Sequence, residues 1–258
     1  MKGIGAMNKI TFDKDVQELA EKLATLGEVL YVGGCVRDAI LDKDVNDVDF
    51  ATNIPMDVLE ANFETHDIGA NKDFGIVVIR WRGENYEVAQ YRTENSYSDG
   101  RHPDVVKIVN TFAEDVTRRD FTINALGATS TGDVVDLVGG MSDIENGIIR
   151  AVGIASERFS EDYLRMLRAI RFAARFDFTI EKKTWLAIVE NAANIKLISK
   201  ERVWGELWKM AKTGGSGFAQ AIMMMEDCGL LQHILPEIDN LKYMPHNNMH
   251  HPEGLGFK

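Results

Sequence analysis

The hydrophobic pattern of this 258-residue sequence changes character once, near Val152-Gly153, and that change limits the folds open to it. Before it, strand-length apolar runs alternate with helical spacings. Val16, Leu19, Ala20 and Leu23 follow a helical period between Asp13 and Gly27. Glu28 to Val32 and Asp47 to Thr52 read as strands, with a short helix from Val36 to Leu41 between them and another from Pro55 to about Asn62. Phe74 to Trp81 and Asn85 to Tyr91 predict a hairpin turned at Gly83-Glu84. A polar, turn-rich loop over Arg92 to Pro103 leads to a strand from Val105 to Val109. After the change, Ser160 to Phe176, Lys182 to Ala193, Ser199 to Lys212 and Gly217 to Leu231 carry helical periods and no strand is expected. The fold class expected is α+β, a mixed sheet with helices followed by an all-helical part.

Bulk properties exclude several classes. An apolar share of 45% with 27% charged residues is ordinary for a globular chain, and no apolar run reaches bilayer-spanning length. The stretch from Met1 to Phe12 lacks a signal-peptide pattern, and Cys35 and Cys228 are too few for a disulfide framework or a zinc site. A cytoplasmic location is the resulting expectation. The net charge of −11 argues against an indiscriminate nucleic-acid binder, so any RNA contact must be local. One local cluster is available, Arg165, Arg168, Arg171 and Arg175, whose spacings of three, three and four bring them together along a helix; a solvated helix face has the same pattern.

Two segments point to chemistry. Asn46-Asp47-Val48-Asp49-Phe50 places carboxylates at i and i+2, which on a strand share a face with their Cα atoms about 7 Å apart. Hard divalent cations take oxygen ligands, and paired carboxylates suit metal ions that clamp attacking and leaving oxygens in phosphoryl transfer. Just ahead lies Gly33-Gly34-Cys35-Val36-Arg37-Asp38, where glycines let backbone N–H groups approach phosphate and Arg37 offers a cation. Taken singly, Asp-x-Asp also fits an exposed turn and Gly-Gly a tight one. There is no Walker-A sequence.

Together these segments resemble the nucleotidyltransferase core of the bacterial-type (class II) CCA-adding tRNA nucleotidyltransferase and poly(A) polymerase family, within the polymerase-β-like superfamily. Further segments continue the resemblance: Arg118-Arg119-Asp120-Phe121-Thr122-Ile123-Asn124-Ala125 is similar to the family's sugar-recognition motif, and Gly139-Gly140 through Asp143-Ile144 to Ile149-Arg150 to its head–neck hinge. Glu161-Asp162-Tyr163-Leu164-Arg165 resembles its base-reading motif and Ile198-Ser199-Lys200-Glu201-Arg202 its neck helix. The resemblance implies a head at residues 1–152, a helical neck at 153–212 and the start of a helical body at 213–258, which in longer relatives continues further. It implies an enzyme that uses Mg²⁺ to add C and A from CTP and ATP to a tRNA 3′ end. Poly(A) addition by the same head and neck, and a catalytically idle RNA-binding relative, stay open as alternatives.

The implied roles are residue-specific. Asp47 and Asp49 hold metal, Gly33, Gly34 and Arg37 hold the triphosphate, and Arg119 and Asp120, with Arg118 nearby, meet the nucleotide and its ribose. Asp162 and Arg165, one turn apart, present an acceptor and a donor to one base edge, with Arg168 beside them. Cytosine and adenine both show an amino donor beside a ring-nitrogen acceptor, whereas guanine and uracil reverse that pattern. Glu87, on the strand after the hairpin turn, is a candidate third carboxylate for metal binding or for deprotonating the RNA 3′ hydroxyl. The loop containing Glu94, Tyr97, Asp99, Gly100, Arg101, His102 and Pro103 resembles the flexible loop that the family needs to switch from C to A addition. His246, His250 and His251 lack zinc-site spacing and read as a polar tail, although His251-Pro252-Glu253-Gly254 resembles the start of an HD phosphohydrolase domain.

Overall fold

A computed structural model of the chain describes residues 9–45, 47–66, 74–95 and 105–240. Its contacts divide it once, into Met1–Ile154 and Ala155–Lys258. The boundary lies within two residues of the change in hydrophobic pattern.

The first unit is built on a seven-stranded sheet in the order β3-β4-β5-β2-β1-β8-β9. These strands are β1 (Val29–Val32), β2 (Asp49–Thr52), β3 (Thr65–His66), β4 (Ile76–Trp81), β5 (Glu84–Gln90), β8 (Gly127–Thr129) and β9 (Val134–Val135). All neighbours pair antiparallel except β2 and β5, which run parallel. Strand β1 is buried along its whole length, and β2 is exposed at Asp49 but buried from Phe50 to Thr52. This pattern sets polar ends against an apolar sheet interior. Helix α1 (Lys14–Ala24) packs on β1 through Val16, Leu19, Ala20 and Leu23, the residues its period singled out. Leu19 and Leu23 are fully buried, so truncating either to Ala costs about 2–5 kcal/mol. Helices α2 (Gly34–Ile40) and α3 (Met56–Asn62) follow β1 and β2.

Two local expectations shift. The hairpin turns at Arg82-Gly83 rather than Gly83-Glu84, because Trp81 pairs with Glu84 and both turn residues take positive φ, 52° and 92°. Arg82 tolerates this geometry while its guanidinium pairs with Asp15 and Glu18 of α1. The stretch expected to be loop begins with a strand: β6 (Arg92–Asn95) pairs antiparallel with β7 (Val105–Ile108) in a separate two-stranded sheet. The polar composition of Arg92–Asn95 hid a strand held by cross-strand backbone bonds. Tyr97 to Pro103 lie outside the described residues.

The second unit contains α6 (Ala155–Glu161), α7 (Leu164–Phe176), α8 (Lys182–Asn191), α9 (Lys200–Ala211), α10 (Gly215–Asp227), α11 (Leu231–Ile234) and α12 (Pro236–Asp239); α4 (Phe112–Asp115) and α5 (Gly140–Asn146) belong to the first. A two-residue strand, Thr179–Ile180, corrects the expectation of helix alone. The helix expected from Ser160 to Phe176 is two helices. They break at Asp162-Tyr163, where the Asp162 carboxylate accepts the Leu164 N–H at 3.1 Å and starts α7 as a cap would. Helices α9 and α10 both pack on α7, so residues assigned to neck and body share one compact unit. No helix among the described residues is long and apolar enough to cross a membrane.

Candidate active site

The chain leaves β1 and enters α2 through Gly33, whose φ of 75° and ψ of −127° are closed to most side chains. A Cβ there would lie 3.6 Å from Arg119 Nη1 and 3.8 Å from the Asn124 carbonyl oxygen, so this turn lies directly against the Arg119 guanidinium. Asp49 opens β2, aligned with Val32 of β1 on one side and Glu87 of β5 on the other. Both carboxylates are exposed. The Asp49 carboxyl is pushed from 3.8 up to about 6, first by partial removal from water, then by the negative charges of Glu87 and Asp47, with Arg119 opposing the rise. Asp47, Asp49 and Glu87 thus form one electrostatic cluster with Arg119 as its nearby cation.

A buried carboxylate positions that arginine. Asp115 accepts Arg119 Nε and Nη2 at 3.1 and 2.9 Å on one oxygen, and Arg118 Nε at 2.9 Å and the Arg92 backbone N–H at 3.2 Å on the other. Burial alone would raise the Asp115 carboxyl, yet Arg119 and Arg118 outweigh it and hold the group below the usual carboxylate range. Glu94 ties Arg92 Nε at 2.8 Å and Arg118 Nη1 at 3.4 Å, linking β6 to the same arginines. Below the turn, Asn124 donates to Asp120 at 3.1 Å and accepts from Arg37, which also binds Asp38 at 2.7 Å. Asp120 further accepts the Phe121 N–H at 2.8 Å.

In the helical unit Asp162 is gripped by Arg202 of α9 through two bonds of 3.1 and 2.7 Å. Arg165 Nη1 donates to Glu161 at 2.5 Å and to the Arg158 carbonyl at 3.1 Å. Arg168 lies over the Phe172 ring at 5.4 Å, and Arg171 is buried against Glu206 at 2.6 Å.

Comparison with known proteins agrees with this architecture. Residues 29–150 match the model of the poly(A) polymerase head domain, and residues 177–242 match the probable RNA and SrmB-binding site of polymerase A. Over 184 residues, 71% of this chain and 45% of the relative, the sequence is 50% identical to a CCA-adding enzyme of Lactiplantibacillus plantarum. The chain belongs to the CCA-adding tRNA nucleotidyltransferase and poly(A) polymerase family. Its fold is similar to that of the Bacillus stearothermophilus CCA-adding enzyme in complex with CTP, with a TM-score of 0.73 and 36% identity over 84% of this chain and 52% of that one. A tRNA nucleotidyltransferase complexed with a primer tRNA and an incoming ATP analog is similar at a TM-score of 0.67 and 26% identity, over 85% of this chain and 62% of that one. The chain spans about half the length of the curated relatives it matches.

Set against the roles this family implies, the side chains divide. Gly33, Asp49, Glu87 and Arg119 come together, with the Asp47 charge acting on Asp49. Asp47 itself precedes β2, so the two aspartates do not share a strand, contrary to the expectation from their spacing. Gly34 is the first residue of α2 and lies close to its own helix's Arg37. Arg37, expected to meet phosphate, is only 4% exposed and braces Asp38 and Asn124 from beneath. Asp162 and Arg165 do not sit on one continuous helix, because Asp162 lies in the break before α7 and only Arg165 is within it, and each side chain also holds a partner of its own, Arg202 and Glu161. The four arginines do not form one solvated face, since Arg171 is part of the core. Sequence reasoning missed Asp115, whose i+3 and i+4 spacing to Arg118 and Arg119 was the available signal. Asn124 and Arg202 lie within sequence motifs that do not by themselves reveal their roles as the link from Arg37 to Asp120 and as the anchor of Asp162. His246, His250 and His251 lie outside the described residues.

Proposed function

We propose that this chain is a template-independent RNA nucleotidyltransferase that adds C and A to the 3′ end of tRNA from CTP and ATP and releases pyrophosphate. The observation that carries the reading is Asp49 aligned with Glu87, with Asp47 pressing on the same ionisation and Arg119 beside the Gly33 turn. Among the described residues no three His, Cys, Asp or Glu side chains already converge as a metal site. The fit to a divalent cation therefore rests on donor chemistry: three hard-oxygen donors that repel one another are stabilised by a cation. Asp47 and Asp49 would hold Mg²⁺, with Glu87 as the third acidic group, and the ion would neutralise charge on the transferring phosphate.

The chain's own residues do the rest. Gly33 and Gly34 let the triphosphate approach the backbone, and Arg119, oriented by buried Asp115, meets its charge. Arg37 supports this turn through Asn124, and Asp120 takes the ribose hydroxyls. The RNA 3′ hydroxyl attacks the α-phosphorus in line and pyrophosphate leaves, accelerated by positioning and charge neutralisation. Asp162, anchored by Arg202, accepts the amino group of cytosine or adenine. Arg165 donates to the adjacent ring nitrogen by yielding part of its hold on Glu161, and Arg168 flanks them. The relatives named as CCA-adding enzymes and the neighbouring complexes with CTP and with primer tRNA support this choice of substrates. We assign the reaction to the cytoplasm, supported by the free thiols of Cys35 and Cys228.

The test offers tRNAs ending before the first C, after CC and after CCA, and an oligo(A) primer, with each nucleotide alone and Mg²⁺. Incorporation of C, then A, then a stop is expected. Extension of oligo(A) alone, without a stop, replaces this reading with poly(A) addition. No incorporation anywhere removes the enzyme reading.

A further inference from the structure

A chain of ion pairs leads from Glu94 in β6 to the Gly33 turn. Glu94 accepts Arg92 Nε at 2.8 Å and Arg118 Nη1 at 3.4 Å on the same oxygen, Oε1. Arg118 gives Nε and Nη2 to one oxygen of Asp115 at 2.9 and 2.8 Å, and the other Asp115 oxygen holds Arg119. Glu94 is 9% exposed and Asp115 1%, while Arg92, Arg118 and Arg119 lie between 14% and 18%. Water screens such charges weakly, so each guanidinium is held by charge as well as by geometry. The backbone joins the same cluster: the Arg92 N–H donates to Asp115 at 3.2 Å, and the Arg92 carbonyl accepts Arg118 Nε at 3.2 Å. Strand β6 pairs with β7 in a separate two-stranded sheet, so the ladder of the main sheet does not extend to this ribbon.

Asp115 serves two arginines at once. Arg119 commits Nε and Nη2 to it, while Arg119 Nη1 lies 3.6 Å from the position of a Gly33 Cβ and so faces the turn. Arg118 competes for the same carboxylate, and Glu94 takes up part of Arg118. Burial and the Arg118 charge lower the Arg92 guanidinium from its ordinary value, and Glu94 is the first group to oppose them. Without the Glu94 charge, two buried guanidinium groups repel each other and turn towards Asp115, which loosens its hold on Arg119.

We infer that Glu94 is a positioning residue for the nucleotide's phosphates, coupling the β6–β7 ribbon to Arg119 through Arg118 and Asp115. The inference rests on the proposed function in taking Arg119 as the phosphate contact. Coupling of this kind is reciprocal: phosphate at the Gly33 turn steadies the ribbon, and the ribbon in place aims Arg119 at phosphate. The effect is common to CTP and ATP and leaves base choice alone, because every member of the chain belongs to the first unit and none to the base-reading segment.

The full 258-residue chain and its Glu94→Gln variant, which keeps the shape of the side chain and removes its charge, are titrated calorimetrically with CTP, ATP and inorganic tripolyphosphate in Mg²⁺. The variant is expected to bind all three about tenfold more weakly, within the roughly 5- to 150-fold span of coupling between sites. Asp115→Asn and the double variant complete a cycle, and the two losses should not add, since Glu94 acts through Asp115. Hydrogen exchange at the backbone amides of residues 92–95 and 105–108, with and without tripolyphosphate, reads the coupling directly. Binding should protect these amides in the wild type and not in Glu94→Gln, a difference that a merely structural role does not produce. If Glu94→Gln does not fold, the wild-type exchange decides alone. Unchanged tripolyphosphate affinity in the folded variant, additive losses, or no phosphate-dependent protection in the wild type overturns the inference. Coupled phosphate binding by a wild type that incorporates no nucleotide supports it and refutes only the proposed activity.

Discussion

Replacing Asp49 with Asn is expected to make the metal-free protein more stable at neutral pH while abolishing nucleotide incorporation. The folded state raises the Asp49 carboxyl from 3.8 to about 6. Below about pH 3.8 the group is protonated in both folded and unfolded chains and has no effect on their balance. Between 3.8 and 6 the unfolded chain releases the proton first, so stability falls as pH rises, and above about 6 the whole penalty is present. A rise of about two units at 1.36 kcal/mol each sets a ceiling near 3 kcal/mol. Because the side chain is exposed, solvent screening reduces this to about 1 kcal/mol. In a chain of this size that corresponds to roughly 2–4 °C in Tm. The assay is thermal unfolding of wild type and Asp49→Asn in EDTA at about pH 8 and about pH 4.5, followed by a Mg²⁺ titration at pH 8. The variant should melt higher at pH 8, with the gap shrinking at pH 4.5, and Mg²⁺ should raise the wild-type Tm more than the variant's. Equal melting at pH 8, or a gap independent of pH, refutes the electrostatic account of the carboxylate cluster. An equal Mg²⁺ response refutes Asp49 as a ligand.

Glu206→Gln leaves the Arg171 guanidinium buried without its counter-charge and is expected to destabilise by about 3–5 kcal/mol in urea unfolding, with Arg171→Met/Glu206→Leu recovering much of the loss. Burial would raise the Glu206 carboxyl, but Arg171 holds it low, so the pair's contribution is present above about pH 4.5 and disappears as pH falls below it; a loss under 1 kcal/mol counts against this. Gly140→Ala would put a Cβ 2.3 Å from the Thr122 carbonyl oxygen, a backbone atom that cannot easily yield. About 1–3 kcal/mol of stability should be lost, with weaker nucleotide binding because Thr122 lies between Asp120 and Asn124; unchanged unfolding and nucleotide affinity would show that the hinge helix is free to shift.

Much of the fold was legible because its signals are local. The buried face of α1 follows directly from the spacing of Val16, Leu19, Ala20 and Leu23, and the change to helix past Val152 coincides with the division into two units. The hairpin was visible, but its turn was misplaced by one residue, since Arg82 takes a positive φ that its residue type does not advertise. Strand β6 was read as loop because Arg92–Asn95 has no apolar alternation; its pairing with β7 is a property of two segments together. The break before α7 has no signal in the apolar spacing, because it depends on the Asp162 carboxylate turning back to accept the Leu164 N–H.

The sequence by itself determined which chemical groups are present and in what order: the glycine turn, the aspartates, the arginine pair and the acidic residue ahead of α7. That much suffices for family membership, since motif order is written along the chain. Only the tertiary structure decided which groups meet. It aligned Glu87 with Asp49, 38 residues earlier in the sequence, through parallel pairing of β2 with β5, and it pressed Gly33 against Arg119. It also turned Arg37 inward as a brace and gave Asp162 to Arg202. The physical reason is that charge and hydrogen bonding act through space over a few ångströms. A carboxylate's partner, and hence its ionisation, is set by strand register and helix packing rather than by its neighbours along the chain.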